Sequence, residues 1–122
     1  MSATAREVVI VAGARTPIGT FGGSLKDMAP TALGALVTKE AIRRAGVEAN
    51  EVGSVYFGHV INTEPRDMYL SRVAAVEAGL PHETPCANVN RLCGSGLQAI
   101  ISAAQAFCSA MRISPSAAAP NR

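Results

Sequence analysis

Asn90-Arg91-Leu92-Cys93-Gly94-Ser95-Gly96-Leu97-Gln98-Ala99-Ile100 joins an apolar, strand-like segment to an amphipathic helical one. Thr84 to Asn90 precedes the turn as a short strand, and Ser95 to Phe107 follows it as a helix with Leu97, Ile100, Ile101 and Ala104 on one side. The turn therefore sets a thiol at a helix N-terminus, where exposed backbone N–H groups favour the thiolate. Gly94 and Gly96 let another molecule come close to the backbone. A cysteine nucleophile for acyl transfer is built in this way, by the logic of the serine nucleophile elbow. Spacing alone leaves a rival open, a buried structural cysteine before a helix, because free cysteine is among the most buried residue types.

The same alternation extends upstream. Arg6 to Gly13 reads as a strand buried on both faces, through the continuous run Val8-Val9-Ile10-Val11. The glycines at 13, 19, 22 and 23 follow in a loop that matches no phosphate-cradling fingerprint. Thr31 to Ala45 is a predicted helix, with Leu33, Leu36, Val37, Ala41 and Ile42 at helical spacing. Pro30 stands at its start and Gly46 just past its end. Val52 to Ile61 is a second strand, Asn62 to Asp67 a polar loop, and Met68 to Ala78 a second helix closed by Gly79 and Pro81. Strands alternating with helices imply right-handed crossovers and a parallel sheet with helices on its faces, an α/β fold.

Composition narrows the chemistry. The chain has 122 residues, 48% hydrophobic and 16% charged, enough for one domain with a buried core. Its net charge of +2 is too weak and scattered for nucleic-acid binding. No apolar run approaches the ~20 residues that cross a bilayer, and the start carries no signal-peptide pattern. Cys86, Cys93 and Cys108 form no Cys-x-x-Cys pair, and only His59 and His82 could assist, so no metal site is expected. An odd cysteine count fits a reducing cytoplasm.

Asn90 to Ile100 resembles the active-site segment of thiolases, the acetyl-CoA C-acetyltransferases and 3-ketoacyl-CoA thiolases. So do Arg6-Glu7-Val8-Val9-Ile10-Val11, Ala14-Arg15-Thr16-Pro17-Ile18-Gly19, Phe21-Gly22-Gly23-Ser24-Leu25, Phe57-Gly58-His59-Val60 and Pro65-Arg66-Asp67. The likeness covers residues 6 to about 106 and lies nearest the bacterial biosynthetic and β-ketothiolase branch. A ketoacyl synthase relative, which also sets a cysteine at a helix start, fits these motifs less well. The resemblance implies a thiolase-like layered fold, an incomplete N-terminal half with three parallel strands and crossover helices. It implies that Cys93 accepts an acyl group as a thioester and that its backbone N–H helps hold an oxyanion, a donor worth roughly 3–4 kcal/mol of barrier in other acyl-transfer enzymes. A second acetyl-CoA then attacks in a Claisen condensation, or thiolysis runs in reverse. The implied substrates are coenzyme A thioesters (acyl-CoA and acetyl-CoA), with no tightly bound cofactor, no metal and no membrane or nucleic-acid partner. The full-length family is expected to form dimers or tetramers, and Asn88 to Arg91 falls in a stretch expected at the dimer interface. His59 and Cys86 are expected to be structural, His82 solvated, and Arg15 and Arg66 to fix loops or subunit contacts.

The family's later Gly-His-Pro and Cys-x-Gly motifs do not occur here. A nucleophile without them is expected to be nearly inactive alone, since such groups act as a unit. Residues 1–106 thus read as a partial N-terminal domain and 107–122 as a non-homologous tail, with Ser109 to Arg122 unstructured. With free choice of wobble bases, the codons for Phe107 to Arg122 read in a shifted frame give Leu-Leu-Gly-Asp-Ala-Asp-Ile-Ala-Ile-Gly-Gly-Gly-Ala-Glu-Ser-Met, the usual thiolase continuation. A one-base loss near the Phe107 codon is the expected origin, and resequencing that locus checks it. The sheet order implied by the family, 3-2-1-4-5, then leaves Val8 to Val11 as an exposed apolar edge, with insolubility on expression as the expected result.

Overall fold

The computed structural model describes residues 7–110. In chain order these form α1 (Pro30–Ala45), β1 (Val55–Gly58), α2 (Leu70–Glu77), β2 (Cys86–Val89) and α3 (Ser95–Ala110), with short 3-10 turns at Ala49–Glu51 and Pro65–Tyr69. Proline at the first turn starts α1, and Gly46 ends it in the left-handed region at φ 67°, donating its N–H to the carbonyls of Ile42 and Arg43. On the exposed side of α1, Glu40 accepts hydrogen bonds from Arg43 and Arg44, which together pull its carboxyl down to about 2. An ion-pair cluster so open to solvent adds little stability.

β1 and β2 pair in parallel, with Val55 opposite Cys86 and Gly58 opposite Val89. The chain between them crosses over through α2. Alternate residues of β1 serve two layers, as the period of a strand requires. Val55 and Phe57 point into the core with Ala75, Leu80 and Ile42, from α2, the loop after it and α1. Tyr56 and Gly58 turn the other way, toward α3. Gly34 of α1 lets the two helices on the first side close up, since a Cβ there would lie 3.1 Å from the Ala74 methyl.

Two sequence-based expectations need correction. The segment expected to form the first of three parallel strands is in no ladder, so the sheet among the described residues has two strands. Val8 to Val11 are all exposed, Ile10 to 78%. A strand exists through ladder hydrogen bonds, and a doubly buried one needs a layer on each face as well. The segment is instead tied at Gly13, whose carbonyl accepts from Arg44 at 2.8 Å, while Val8 borders a groove of about 510 Å³ with Tyr56, Ala103 and Phe107. The second correction concerns the chain after residue 106. α3 continues through Phe107, Cys108, Ser109 and Ala110 where an unstructured tail was expected to begin at Ser109. Most of that expected tail, residues 111–122, lies outside the described residues.

α3 contains no charged residue, and it packs by its small side chains. Ser95 and Ala99 are buried, whereas Leu97, Ile100, Ile101 and Phe107 face outward. Helices apolar all round belong inside a larger body, and none among the described residues is long and apolar enough to cross a membrane. Expressed alone, the chain is expected to enter the insoluble fraction or to grow in mass with concentration, because such patches associate. Leu97→Glu with Ile100→Glu is expected to raise the soluble yield several-fold. Centrifugation and light scattering check this, and an unchanged yield would count against the exposed face of α3 as the cause.

Candidate functional site

β2 delivers the chain into a tight turn at Asn90–Gly94, and α3 carries it away. The Asn90 Oδ1 accepts from the Leu92 N–H at 3.1 Å, a local turn of the kind asparagine favours. The N–H groups of Gly94 and Ser95 donate to the carbonyls of Arg91 and Leu92, each at 3.0 Å. The Gln98 N–H then reaches the Gly94 carbonyl at 2.9 Å and begins the helical pattern. Arg91 is held at both ends, its N–H by Ser95 Oγ at 2.8 Å and its guanidinium by Gln98 Oε1 at 2.8 Å. Leu92 has φ +49°, and no other described non-glycine residue has positive φ. Left-handed backbone is costly for leucine, and it lies immediately before Cys93.

Cys93 is exposed, which removes the reading of a buried structural cysteine. Cys86 and Cys108 are half-buried, and all three thiols are free. Cys86 packs against the core, where burial pushes its thiol up against the opposing pull of Arg72. The turn is seated from below by Gly58. A Cβ on Gly58 would lie 2.6 Å from the Ser95 carbonyl carbon and 2.7 Å from the Gly96 nitrogen. Backbone thus rests on backbone, and the end of β1 sets the start of α3.

The two histidines lie apart from this chemistry. His82 is exposed in a loop. His59 Nε2 is buried with no hydrogen-bond partner, so it gives no base to Cys93 through that nitrogen. Arg66 forms an ion pair with Glu77 at 2.7 Å, tying the 3-10 turn to α2, and Arg15 donates to the neighbouring Thr16 carbonyl. No cluster of three metal-ligating side chains occurs among the described residues.

Sequence reasoning missed a polar brace behind the site. Asp67 is fully buried, and its Oδ2 accepts from the Thr63 N–H and hydroxyl, each at 2.7 Å, and from the Glu64 N–H at 3.1 Å. Asn88 of β2 accepts from the Ser71 N–H at the start of α2 and donates to the Met68 carbonyl, capping α2 from across the fold. Burial alone raises the Asp67 carboxyl. The hydrogen bonds from Thr63 and Glu64, with His59 nearby, outweigh it and leave the group below its ordinary 3.8. Its contribution is therefore complete above the unfolded value and lost as pH falls through the folded one. Asp67→Asn is expected to lower Tm by several degrees near neutral pH and to flatten the acid limb below about pH 4. Melting curves from neutral pH downward check this, and a wild-type acid limb in the variant would exclude it. The signal for Asp67 was a Thr four residues earlier in a turn, and for Gly58 a glycine inside a strand.

Residues 8–112 match the family model for the thiolase N-terminal domain. Over 100 residues the chain is 68% identical to beta-ketothiolase BktB of Cupriavidus necator, covering 82% of this chain and 25% of that protein. It is 42% identical over 104 residues to bovine mitochondrial 3-ketoacyl-CoA thiolase, covering 85% of this chain and 26% of that one. Among solved structures, human mitochondrial 3-ketoacyl-CoA thiolase in complex with CoA superposes with a TM-score of 0.79 at 40% identity, over 81% of this chain and 25% of its own. The acetyl-CoA acetyltransferase of Bacillus anthracis gives 0.74 at 46% identity, over 79% and 24%. The chain spans about a quarter of the length of the relatives it matches.

Proposed function

Because the chain belongs to the thiolase family, we propose that Cys93 is the acyl-accepting nucleophile of an acyl-CoA C-acyltransferase. The observation that carries this reading is one exposed thiol at the turn into α3, with the other two thiols half-buried. Cys93 takes the acyl group from a coenzyme A thioester and releases the CoA thiol. The acyl-cysteine then passes that group to the carbanion of acetyl-CoA in a Claisen condensation, or arises from a 3-ketoacyl-CoA in the thiolytic direction. The N–H groups of Arg91, Leu92, Gly94 and Ser95 are engaged within the turn. We assign the Cys93 N–H to the developing oxyanion.

Turnover needs a base and a second acceptor site that a quarter-length chain does not supply from its described residues, so alone it reacts at most once. The test joins residues 7–106 to the complementary three quarters of the Cupriavidus necator beta-ketothiolase, chosen for its 68% identity. Thiolytic activity in the chimera, with peptide mapping of an acetyl group to Cys93, supports the reading. A folded chimera that acetylates elsewhere or nowhere overturns it. The exposed apolar face of α3 favours a second reading, non-catalytic association with longer thiolase subunits. Co-purification of the chain with that relative, without acetylation of Cys93, would decide for it.

A further inference from the structure

We infer that Ser95 is a positioning residue for Cys93, acting by holding Leu92 in its left-handed conformation. The inference rests on the reading of Cys93 as the reactive thiol. Ser95 is buried, 4% exposed, so its hydroxyl is committed to partners within the turn. Its Oγ accepts from the Arg91 N–H at 2.8 Å and donates to the Leu92 carbonyl at 2.6 Å. One side chain therefore spans the backbone on both sides of the Leu92 φ and ψ angles. The Ser95 N–H adds a second donor to the same Leu92 carbonyl at 3.0 Å. Asn90 holds the Leu92 N–H from the other direction.

The clamp is anchored. The Ser95 backbone rests on Gly58, where no Cβ intervenes, so its position is set by β1 rather than by the turn. Leucine at φ +49° does not keep that conformation unaided, since its Cβ crowds the neighbouring carbonyl. Without the hydroxyl, Leu92 relaxes toward ordinary backbone angles, and the thiol of the next residue, Cys93, loses its fixed place at the turn into α3. A thiol's reactivity depends on where it stands relative to a helix start. Ser95 touches no reacting atom and works only through Leu92.

The test uses the full 122-residue chain in the Leu97→Glu/Ile100→Glu background, with iodoacetamide as the probe. Peptide-resolved mass spectrometry gives separate rates for Cys86, Cys93 and Cys108. Ser95→Ala is expected to slow Cys93 alkylation roughly tenfold, less than the roughly 10²-fold that a 1 Å misplacement of reacting groups can cost, with Cys86 and Cys108 unchanged. Adding Leu92→Gly, which accepts the left-handed region without a clamp, is expected to return the Cys93 rate to near that of the parent. An unchanged Cys93 rate in Ser95→Ala, a parallel change at all three thiols, or no recovery with Leu92→Gly overturns the inference. Acetylation of Cys93 by acetyl-CoA is scored separately. Failure there overturns the acyl-transfer reading and leaves the alkylation result to judge Ser95.

Discussion

Cys93→Ser is expected to abolish thiolytic activity in the chimera with the Cupriavidus necator relative, lowering kcat by about 10⁴-fold or more, the scale of losing an activated nucleophile. Serine keeps the size and the backbone of the turn. It loses the thiolate, and a hydroxyl without a dedicated base is a weak nucleophile at neutral pH. The hydrogen bonds that shape the turn come from Asn90, Arg91 and Ser95, so the fold is expected to be undisturbed. Circular dichroism and substrate binding should match the parent while the acyl-enzyme disappears from intact-mass spectra. Cys86→Ser and Cys108→Ser serve as controls and are expected to retain the acyl-enzyme. Activity surviving Cys93→Ser would remove Cys93 from the mechanism.

Gly58→Ala is expected to cost about 3 kcal/mol, the upper range for overpacking, and to lower Tm by about 12 °C or more in a domain of this size. The added methyl meets backbone atoms of Ser95 and Gly96 at 2.6 to 2.8 Å, and backbone cannot rotate aside as a side chain can. Relief must come from lifting the start of α3 off the end of β1. The expected signature is thus double, a lower Tm and a changed rate of Cys93 alkylation. Gly53→Ala is the matched control, because a Cβ there meets nothing within 4 Å. Equal melting temperatures for the two variants would show that the seat is not as tight as the distances indicate.

Most helices and both strands were legible from local pattern. Pro30 and Gly46 bracket α1 because each acts through its own backbone torsions. The turn into α3 was legible for the same reason, its glycines and Asn90 being local devices. Strand ends were less so. Val52 to Ile61 contracts to Val55–Gly58, and Thr84 to Asn90 to Cys86–Val89, because a strand ends where its partner's hydrogen bonds end. Of the site, Cys93 could be named from the sequence, while Ser95, Gly58 and Asp67 could not be given roles, and the hydrogen bonds of Asn88 to the start of α2 could not be foreseen.

The sequence by itself determined the alternation of helices with parallel strands, the place of a thiol at a helix start, and membership in the thiolase family. Each depends on neighbours a few residues apart, or on motif wording that no distant contact alters. Only the tertiary structure decided that Val8 to Val11 stays outside the sheet, that α3 packs by serine and alanine with its large side chains outward, and that Gly58 supports the turn carrying Cys93. These depend on which surfaces meet. An apolar run becomes a strand only when a neighbour supplies the other half of its hydrogen bonds, and that pairing is a property of the assembled layers.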